Sequence, residues 1–600
     1  MRMRIAYAVL ILVWTILLVR IYYLSIKSNE YYEDIAEKNA IKTELIAPIR
    51  GQILDIKGRP LAVNKLGFSI LIKPHLRNNE KVLDTEIKAI SDVFTDLNAT
   101  KLKRTYLKDD SPYNQDFVEV VEFIDYDSMI PHFAMLSLRD NIIIKPASKR
   151  HYPYSSLASH VIGYVGRANQ KDIQNDELAK ITNYTGRSGV ENFYNEVLQG
   201  KSGERKTKVT ALNQEVEEVS YTRATSKDIT LTLELELQKY ITEIFGNDSG
   251  AVVVMSLKDG AILAAGSFPE YDLNPFVIGI SQKEWDAIIN NLDHPFTNKL
   301  VNSLYPPGSV VKMAMGMAFF DSGRITPRTK IMCDPYFELG GRKFRNWKNY
   351  GAENMTIVEA IKESCDTYFY RGAYQIGIDN IAPVLERFGF GKKTGIDLPN
   401  EYIGVVPSRE WKKAKTNTPW YHGDTLNTSI GQGNFLVTPV QVAKDTAIFA
   451  TGLDMTPHFL YSIDGKKVEW EVQDNLTNKE KADIEYIRKG MHDTANIFGG
   501  TGFRALSAAS IKLAAKTGTA QVVGISQTDK ERIKENDMKY YERSHAWITT
   551  YGPYEDPQFV VTAMVEHGGH GGSAAGPIVA KIYNKLIELG YIDKKYLKKK

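Results

Sequence analysis

The sequence predicts an α+β architecture: one N-terminal transmembrane helix, a mixed domain, and a larger domain with a central antiparallel sheet flanked by helices. Three observations carry this. Residues 5–24 form an unbroken apolar run with a single charge. Residues 25–227 are polar, with short strand-like and helical patterns and no cluster of reactive side chains. From residue 228 onward, apolar strand patterns stand at both ends of a region whose middle reads as helix.

Composition sets the outer limits. A chain of 600 residues accommodates about four domains at roughly 150 residues each. Hydrophobic residues at 43% and charged residues at 24% are ordinary for a globular protein and exclude disordered, collagen-like and multi-span membrane classes. With 75 basic and 72 acidic residues, nothing marks a nucleic-acid partner. Two cysteines, Cys333 and Cys365, are too few for a disulfide-stapled scaffold or a four-cysteine metal site.

Taken in order, residues 5–24 make a helix about 30 Å long, enough to cross a hydrocarbon core. Arg2 and Arg4 precede it and place Met1 on the cytoplasmic side. Arg20 is placed to snorkel to the far interface beside Tyr22 and Tyr23. The following Ser25-Ile26-Lys27-Ser28-Asn29 offers no small-x-small cleavage site, so residues 1–24 read as cytoplasmic tip and retained anchor rather than a signal peptide. In residues 25–227, segments 68–72 and 142–144 read as strands and the region near 80–100 as helix. A charged, Thr-rich stretch at 201–228 separates this from the next domain, residues 228–590. There, segments 251–255 and 261–265 read as strands around the turn Lys258-Asp259-Gly260. Helical patterns fill 305–450, and strands return at 546–551 and 559–565. Residues 591–600 read as a solvated basic tail.

Three short motifs carry chemistry. In Tyr305-Pro306-Pro307-Gly308-Ser309-Val310-Val311-Lys312, Ser309 falls at a helix start and Lys312 one turn later on the same face. A serine needs a base to become a nucleophile, and a lysine serves if burial lowers its pKa. Alone, this is equally a helix start with a surface lysine. Ser364-Cys365-Asp366 follows the capping-box pattern Thr356 to Glu359, so it lies in or at the end of a helix. Its hydroxyl and carboxylate can both reach a neighbouring ammonium, although by itself it is an ordinary polar patch. Ser462-Ile463-Asp464 is a similar triplet in a strand-and-turn context. The third motif is Lys516-Thr517-Gly518-Thr519, on an apolar strand-like run where Lys516 and Gly518 share a face. Gly518 removes a side chain where a ligand must approach the backbone. Two other triplets, at Lys201 and Lys393, lie in a polar stretch and a loop.

Ser-x-x-Lys, Ser-x-Asp and Lys-Thr-Gly in this order make a set that resembles the class B penicillin-binding proteins, and the elongation type among them. Further matching stretches are Arg50-Gly51…Asp55…Gly58…Leu61-Ala62, Gly186-Arg187-Ser188-Gly189-Val190-Glu191 and Gly423-Asp424-Thr425…Ser429-Ile430-Gly431-Gln432-Gly433. The resemblance spans essentially the whole chain. It implies a non-catalytic pedestal (dimerisation-type) domain at 25–227 and a transpeptidase domain at 228–590. It implies a Ser309 acyl-enzyme that crosslinks peptidoglycan peptide stems during cell elongation and rod-shape maintenance, and that β-lactams acylate. Lys312 is then the base, and Ser364 and Lys516 relay a proton to the leaving amine. Asp366 completes the middle motif. The N–H groups of Ser309 and Thr519 form the oxyanion hole, and Lys516, Thr517 and Thr519 bind the terminal carboxylate beside Gly518.

The resemblance also implies partners: a SEDS-type membrane glycosyltransferase, since no glycosyltransferase segment is evident, and cell-shape scaffold proteins. The catalytic domain is expected in the periplasm, held to the inner membrane by the single helix, with no nucleic acid and no cofactor. Two departures stand out. Asp366 replaces the more usual Asn of the middle motif. Some relatives hold zinc nearby with Asp, Asp, His and Cys. Here Cys365 and Asp334 remain, Asn346 stands in the matching Arg345-Asn346-Trp347, and the expected His falls at Ala352. A four-coordinate zinc is therefore not expected. Both cysteines are expected as free thiols, because joining them would tie the site to a distant loop. The competing readings are a septal transpeptidase of the same class, a hydrolytic relative, and a catalytically inactive β-lactam sensor or scaffold.

Overall fold

The computed structural model describes residues 2–27, 41–210, 215–349, 351–524 and 535–598. Residues 28–40, including the flank Ser28-Asn29, and the last two lysines of the basic tail lie outside the described residues. The chain packs as two compact units, Met1–Arg50 with Ala168–Tyr184 and Gln199–Ser226, and Gly51–Arg167 with Thr185–Leu198 and Lys227–Lys600.

The first unit contains the apolar helix Arg2–Tyr22, continued by a π turn at Tyr23–Lys27. Segment Met3–Lys27 is long and apolar enough to cross a membrane, and none of it is buried by protein. The same unit holds an antiparallel sheet in the order Ile41–Ile46, Gly203–Val209, Glu215–Thr222. The charged stretch expected as a separator thus contains two strands. Cross-strand pairs from Arg205 to Glu215 and Glu218, each 3.0 Å, show what its alternating charges do.

In the second unit, the strand Pro60–Ile72 pairs with Val118–Asp125 on one side and Ile142–His151 on the other. Helices Glu80–Val93 and Ala99–Asp109 bury Leu83, Ile87, Ile90, Leu102 and Tyr106 against this sheet. The sheet continues through Ile53–Leu54 to Ile229–Leu231 and Leu460–Ile463. Strands from both sides of residue 228 therefore share one ladder. Residues 51–167 accordingly pack in one unit with residues 227–600, and the other unit ends at Ser226, next to the 227/228 border expected from sequence.

The Arg-Gly and Gly-Arg-Ser-Gly-Val-Glu stretches meet here. Arg150 donates through Nε to Glu191 Oε1 at 2.6 Å and through Nη1 to the Gly51 carbonyl at 2.7 Å. Both members of the ion pair are buried. Asp55 accepts from the backbone N–H of Lys57 and of Arg59 around the Gly58 turn, and Arg59 reaches on to Glu234 at 2.6 Å.

The catalytic sheet is antiparallel throughout, in the order Ile262–Phe268, Gly250–Ser256, Phe559–Val565, His545–Gly552, Ala514–Ala520. Helices Leu235–Phe245 and Gly571–Glu588 cover one face with Ile241, Phe245, Ile582 and Tyr583 against Val252, Val254, Ile548 and Val561. Helix Pro439–Thr451 covers the other, where Thr446 Oγ1 lies 2.6 Å from Thr549 Oγ1. With both faces covered, these strands read as continuous apolar runs rather than alternations. Among the described residues, the tail is not free. The lysine side chains at 594 and 595 are exposed, but Ile592 is buried and Tyr591 donates to Glu234 at 2.8 Å. Lys598 N–H donates to the Ser510 carbonyl at 2.8 Å. Buried Ile592, with Tyr591 and Tyr596 packed against the core, makes the difference from the solvated tail expected.

The expectation of two free thiols is overturned: Cys333 and Cys365 are joined in a disulfide, with Cα atoms 6.3 Å apart. Strand Ile331–Cys333 pairs with Glu353–Met355, which leads into the capped helix Ile357–Glu363. Helix Asp366–Ile376 packs on the same strand. Cys333 is thereby a neighbour of the middle motif, not part of a distant loop. Alkylation of the denatured, unreduced protein should add no label to either cysteine, and alkylation after reduction should add two; intact mass reads both. For the core, Glu191→Ala strands the buried Arg150 charge. It should lower the unfolding free energy by about 3–5 kcal/mol in urea titrations.

Candidate active site

The segment before Ser309 is seated by backbone contacts. Gly308 has φ +56° and donates its N–H to the Gly431 carbonyl at 2.9 Å. A Cβ there would lie 2.8 Å from the Thr519 carbonyl, so only glycine lets the two segments approach. Ser309 stands in a single 3-10 turn, Gly308–Val311, that runs into the buried helix Lys312–Asp321. Its side chain is half-buried and faces a cleft of about 720 Å³.

The middle motif is a kink between two helices. Thr356 and Glu359 cap Ile357–Glu363 reciprocally, as the spacing predicts. Ser364 ends that helix with φ +56°, and the Cys365 sulfur caps Asp366–Ile376 by accepting from Tyr368 N–H. The reversal turns two successive polar groups onto Lys312. Its Nζ donates to the Ser364 carbonyl at 2.9 Å, to Ser364 Oγ at 3.3 Å and to Asp366 Oδ1 at 2.6 Å.

Lys516 arrives on the edge strand of the catalytic sheet, opposite Thr549. Its Nζ donates to Ser364 Oγ at 2.8 Å and to the Thr517 carbonyl at 2.9 Å. The single Ser364 hydroxyl thus stands between two lysine Nζ atoms, both side chains 0% exposed. Burial pushes Lys312 below the ordinary lysine range, while Asp366 opposes the shift. Burial pushes Lys516 lower still, Lys312 adds like-charge repulsion, and Asp366 compensates in part. At Gly518 a Cβ would meet the Pro307 carbonyl and Val310 Cγ1, each at 3.1 Å, so this residue lets the edge strand lie against the serine turn.

The structure brings Ser309, Ser364, Asp366, Thr517, Gly518 and Thr519 to the cleft wall, with Lys312 and Lys516 buried behind it. Thr517 Oγ1 donates to Thr501 Oγ1 at 2.7 Å, and Gln432 Nε2 donates to the Thr519 carbonyl at 3.1 Å. Trp347, Gln432, Thr501, Arg504 and His570 also line the cleft. Of these, Gln432 and Trp347 fall in stretches that sequence reasoning singled out, Trp347 only as part of the zinc comparison; Thr501, Arg504 and His570 come from segments without a recognisable pattern. The two other lysine triplets lie elsewhere. Lys201 forms a backbone bridge with Thr225, and Thr394 beside Lys393 donates to Glu401 at 2.6 Å.

The residues near Cys365 do not fit a zinc ion. Its sulfur is in the disulfide, Asp334 pairs with Arg371 at 2.7 Å, and an amide and a methyl group occupy positions 346 and 352. No group of three or more His, Cys, Asp or Glu placed to hold a metal occurs among the described residues.

Comparison with known proteins agrees with this geometry. Residues 250–584 match the penicillin binding protein transpeptidase domain, and residues 45–231 the penicillin-binding protein dimerisation domain. The peptidoglycan D,D-transpeptidase MrdA of Haemophilus influenzae is 34% identical over 98% of this chain and 91% of its own. That of Escherichia coli K12 is 33% identical over 98% and 93%. Among solved structures, Helicobacter pylori PBP2 in complex with MreC superposes with a TM-score of 0.85 at 41% identity, covering 92% of this chain and 99% of its own. A chain of a peptidoglycan synthase complex gives 0.71 at 27% identity, covering 99% of each. With both domains matched and relatives aligned from end to end, this chain belongs to the class B penicillin-binding proteins.

Proposed function

We propose that this chain is a serine-type peptidoglycan D,D-transpeptidase of cell elongation, and that Ser309 is its nucleophile. The observation that carries the reading is Ser364 Oγ held between Lys312 and Lys516 at the back of the cleft that Ser309 faces. Ser309 Oγ attacks the D-Ala–D-Ala carbonyl of a donor stem. Its proton passes to Lys312, then through Ser364 and Lys516 to the departing D-Ala amine. The amine of a second stem attacks the ester, forms the crosslink and releases Ser309.

Such a relay needs one lysine neutral. Burial lowers the proton affinity of both, and Asp366, hydrogen-bonded to Lys312, favours the proton on that side. A shift through Ser364 exchanges the two states without changing net charge. The N–H groups of Ser309 and Thr519 serve as the oxyanion hole, a donor pair worth about 100- to 1000-fold per donor in comparable sites. Ala514–Ala520 is the edge strand of its sheet, along which an extended peptide can lie with Thr517 and Thr519 at its terminal carboxylate.

The same reading makes 25–227 the pedestal and 228–590 the transpeptidase domain, anchored by the apolar helix with the catalytic part in the periplasm. The Helicobacter pylori relative was solved with MreC, and another relative belongs to a peptidoglycan synthase complex. This chain is accordingly proposed to bind a cell-shape scaffold and a SEDS-type membrane glycosyltransferase.

A penicillin should add its mass once, to the peptide containing Ser309, and Ser309→Ala should abolish the adduct while leaving thermal unfolding nearly unchanged. Lys516→Ala should slow acylation at least about 100-fold, whereas Lys201→Ala and Lys393→Ala should stay within about threefold. Labelling that survives Ser309→Ala would reject the assignment. A second test reads the pH dependence. Asp366 raises the proton affinity of Lys312, so Asp366→Asn should lower it further. The base is active when deprotonated, so the acidic limb of the acylation profile should move to lower pH, with a reduced plateau. Rates with a fluorescent penicillin across about pH 5 to 9 decide this; a limb moved upward would contradict the role given to Asp366.

A further inference from the structure

The middle motif is held from a direction that its own sequence does not disclose. Hairpin Tyr336–Leu339/Arg342–Arg345 delivers Asn346 beside the kink, where Asn346 N–H donates to the Pro335 carbonyl at 2.8 Å. Asn346 Oδ1 accepts the N–H of Asp366 and of Trp347, both at 3.0 Å. Trp347 N–H also donates to Asp366 Oδ2 at 3.1 Å, leaving Oδ1 for Lys312. The Asn346 amide nitrogen leans on both sulfurs of the bridge, 3.5 Å from Cys333 Sγ and 3.9 Å from Cys365 Sγ. Trp347 Nε1 donates to the Glu363 carbonyl at 3.0 Å, at the end of the helix that Ser364 terminates. Lys348 pairs with Glu363 at 2.6 Å. Three consecutive residues therefore grip the motif.

We propose that Asn346, footed on the Cys333–Cys365 bridge, is a positioning residue for the transpeptidation chemistry. It fixes the Asp366 main chain, and with it the carboxylate that orients Lys312 Nζ. It touches neither substrate nor Ser309. One end of the Asp366 carboxylate is set by a backbone donor and the other by the lysine, so a rotation at Asp366 moves the ammonium directly. A misplacement of about 1 Å in such a group costs about 100-fold in rate. Loss of the Asn346 acceptor also leaves the part-buried Asp366 N–H unpaired, which favours that rotation. The bridge enters because it stops the amide from swinging away. Cys333 lies on a strand and Cys365 between the two polar groups of the motif, so the covalent link ties the foot of Asn346 to the group that it orients.

The proposal rests on the acylation of Ser309 argued above, and one experiment separates the two. Stopped-flow acylation by a chromogenic penicillin yields the dissociation constant of the initial complex and the acylation rate constant. Full-length protein is used in detergent, with thermal unfolding followed in parallel. Asn346→Ala should lower the rate constant at least about tenfold and leave the dissociation constant within about twofold, because the penicillin carboxylate is held on the Thr517–Thr519 side. Asn346→Asp keeps the Oδ1 acceptor but loses the amide nitrogen that rests on the bridge, and should recover part of the rate. Opening the bridge of the wild type with dithiothreitol should lower the same constant. Opening it in Asn346→Ala should add less than the product of the two effects, since both act through one contact. A rate constant that is normal in a folded Asn346→Ala protein overturns the proposal. So does a parallel loss of binding and rate that Asn346→Asp does not rescue, or an independent multiplication of the two effects. If Asn346→Ala does not fold, Asn346→Asp and bridge opening in the wild type still decide it: a normal rate constant in the reduced protein overturns the proposal. Absence of any wild-type acylation overturns instead the reading on which it rests.

Discussion

Two buried lysine amines around one hydroxyl, with a single carboxylate beside them, make the constraint on which the rest of the catalytic unit depends. Removing a charge from water costs several kcal/mol even after relaxation. Lys312 and Lys516 bear this cost only because each is placed within hydrogen-bond reach of fixed acceptors. Donors and acceptors together come from three regions of the chain. The helix after Ser309 brings one lysine, the edge of the sheet brings the other, and the kink at Ser364 brings hydroxyl, carbonyl and carboxylate. None of the three retains its chemistry alone, since each lysine separated from the kink is an ordinary protonated side chain.

Rigidity follows from the same requirement. The edge strand is held by the full register of His545–Gly552 behind it, and that strand is packed on both faces. The serine turn is pinned to the strand where Gly308 and Gly518 omit side chains. The cleft between them is a seam where two segments touch through backbone. A rigid sheet on one side and a capped helix pair on the other keep a proton path from wandering.

Much of this was legible in the sequence, and the remainder was hidden for identifiable reasons. The strands 251–255, 261–265, 546–551 and 559–565 were readable because a sheet covered on both faces demands apolar runs. The site lysines were separable from Lys201 and Lys393 because only Lys516 lies in such a run. The cysteine pair was misjudged because its proximity depends on Ile331–Cys333 pairing with Glu353–Met355, two three-residue strands too short to leave a periodic signal. Thr501 and Arg504 were missed because a loop residue carries no mark of which cavity it enters. The compact units were not legible because a ladder running from Ile53–Leu54 through Ile229–Leu231 joins segments that differ in composition.

The order of the catalytic strands has a consequence for how the chain is made. Gly250–Ser256 is an inner strand, yet one of its two partners is Phe559–Val565, near the far end of the polypeptide. Until that partner emerges, the hairpin of Gly250–Ser256 and Ile262–Phe268 presents an unpaired edge of Val252, Val253 and Val254. A chain delivered N-terminus first keeps this adhesive surface open throughout the synthesis of the helical middle. Closure comes with Phe559–Val565, and beyond it the terminal segment docks Tyr591 on Glu234 and Lys598 on Ser510. A chain halted before residue 559 lacks that partner and leaves this edge uncovered.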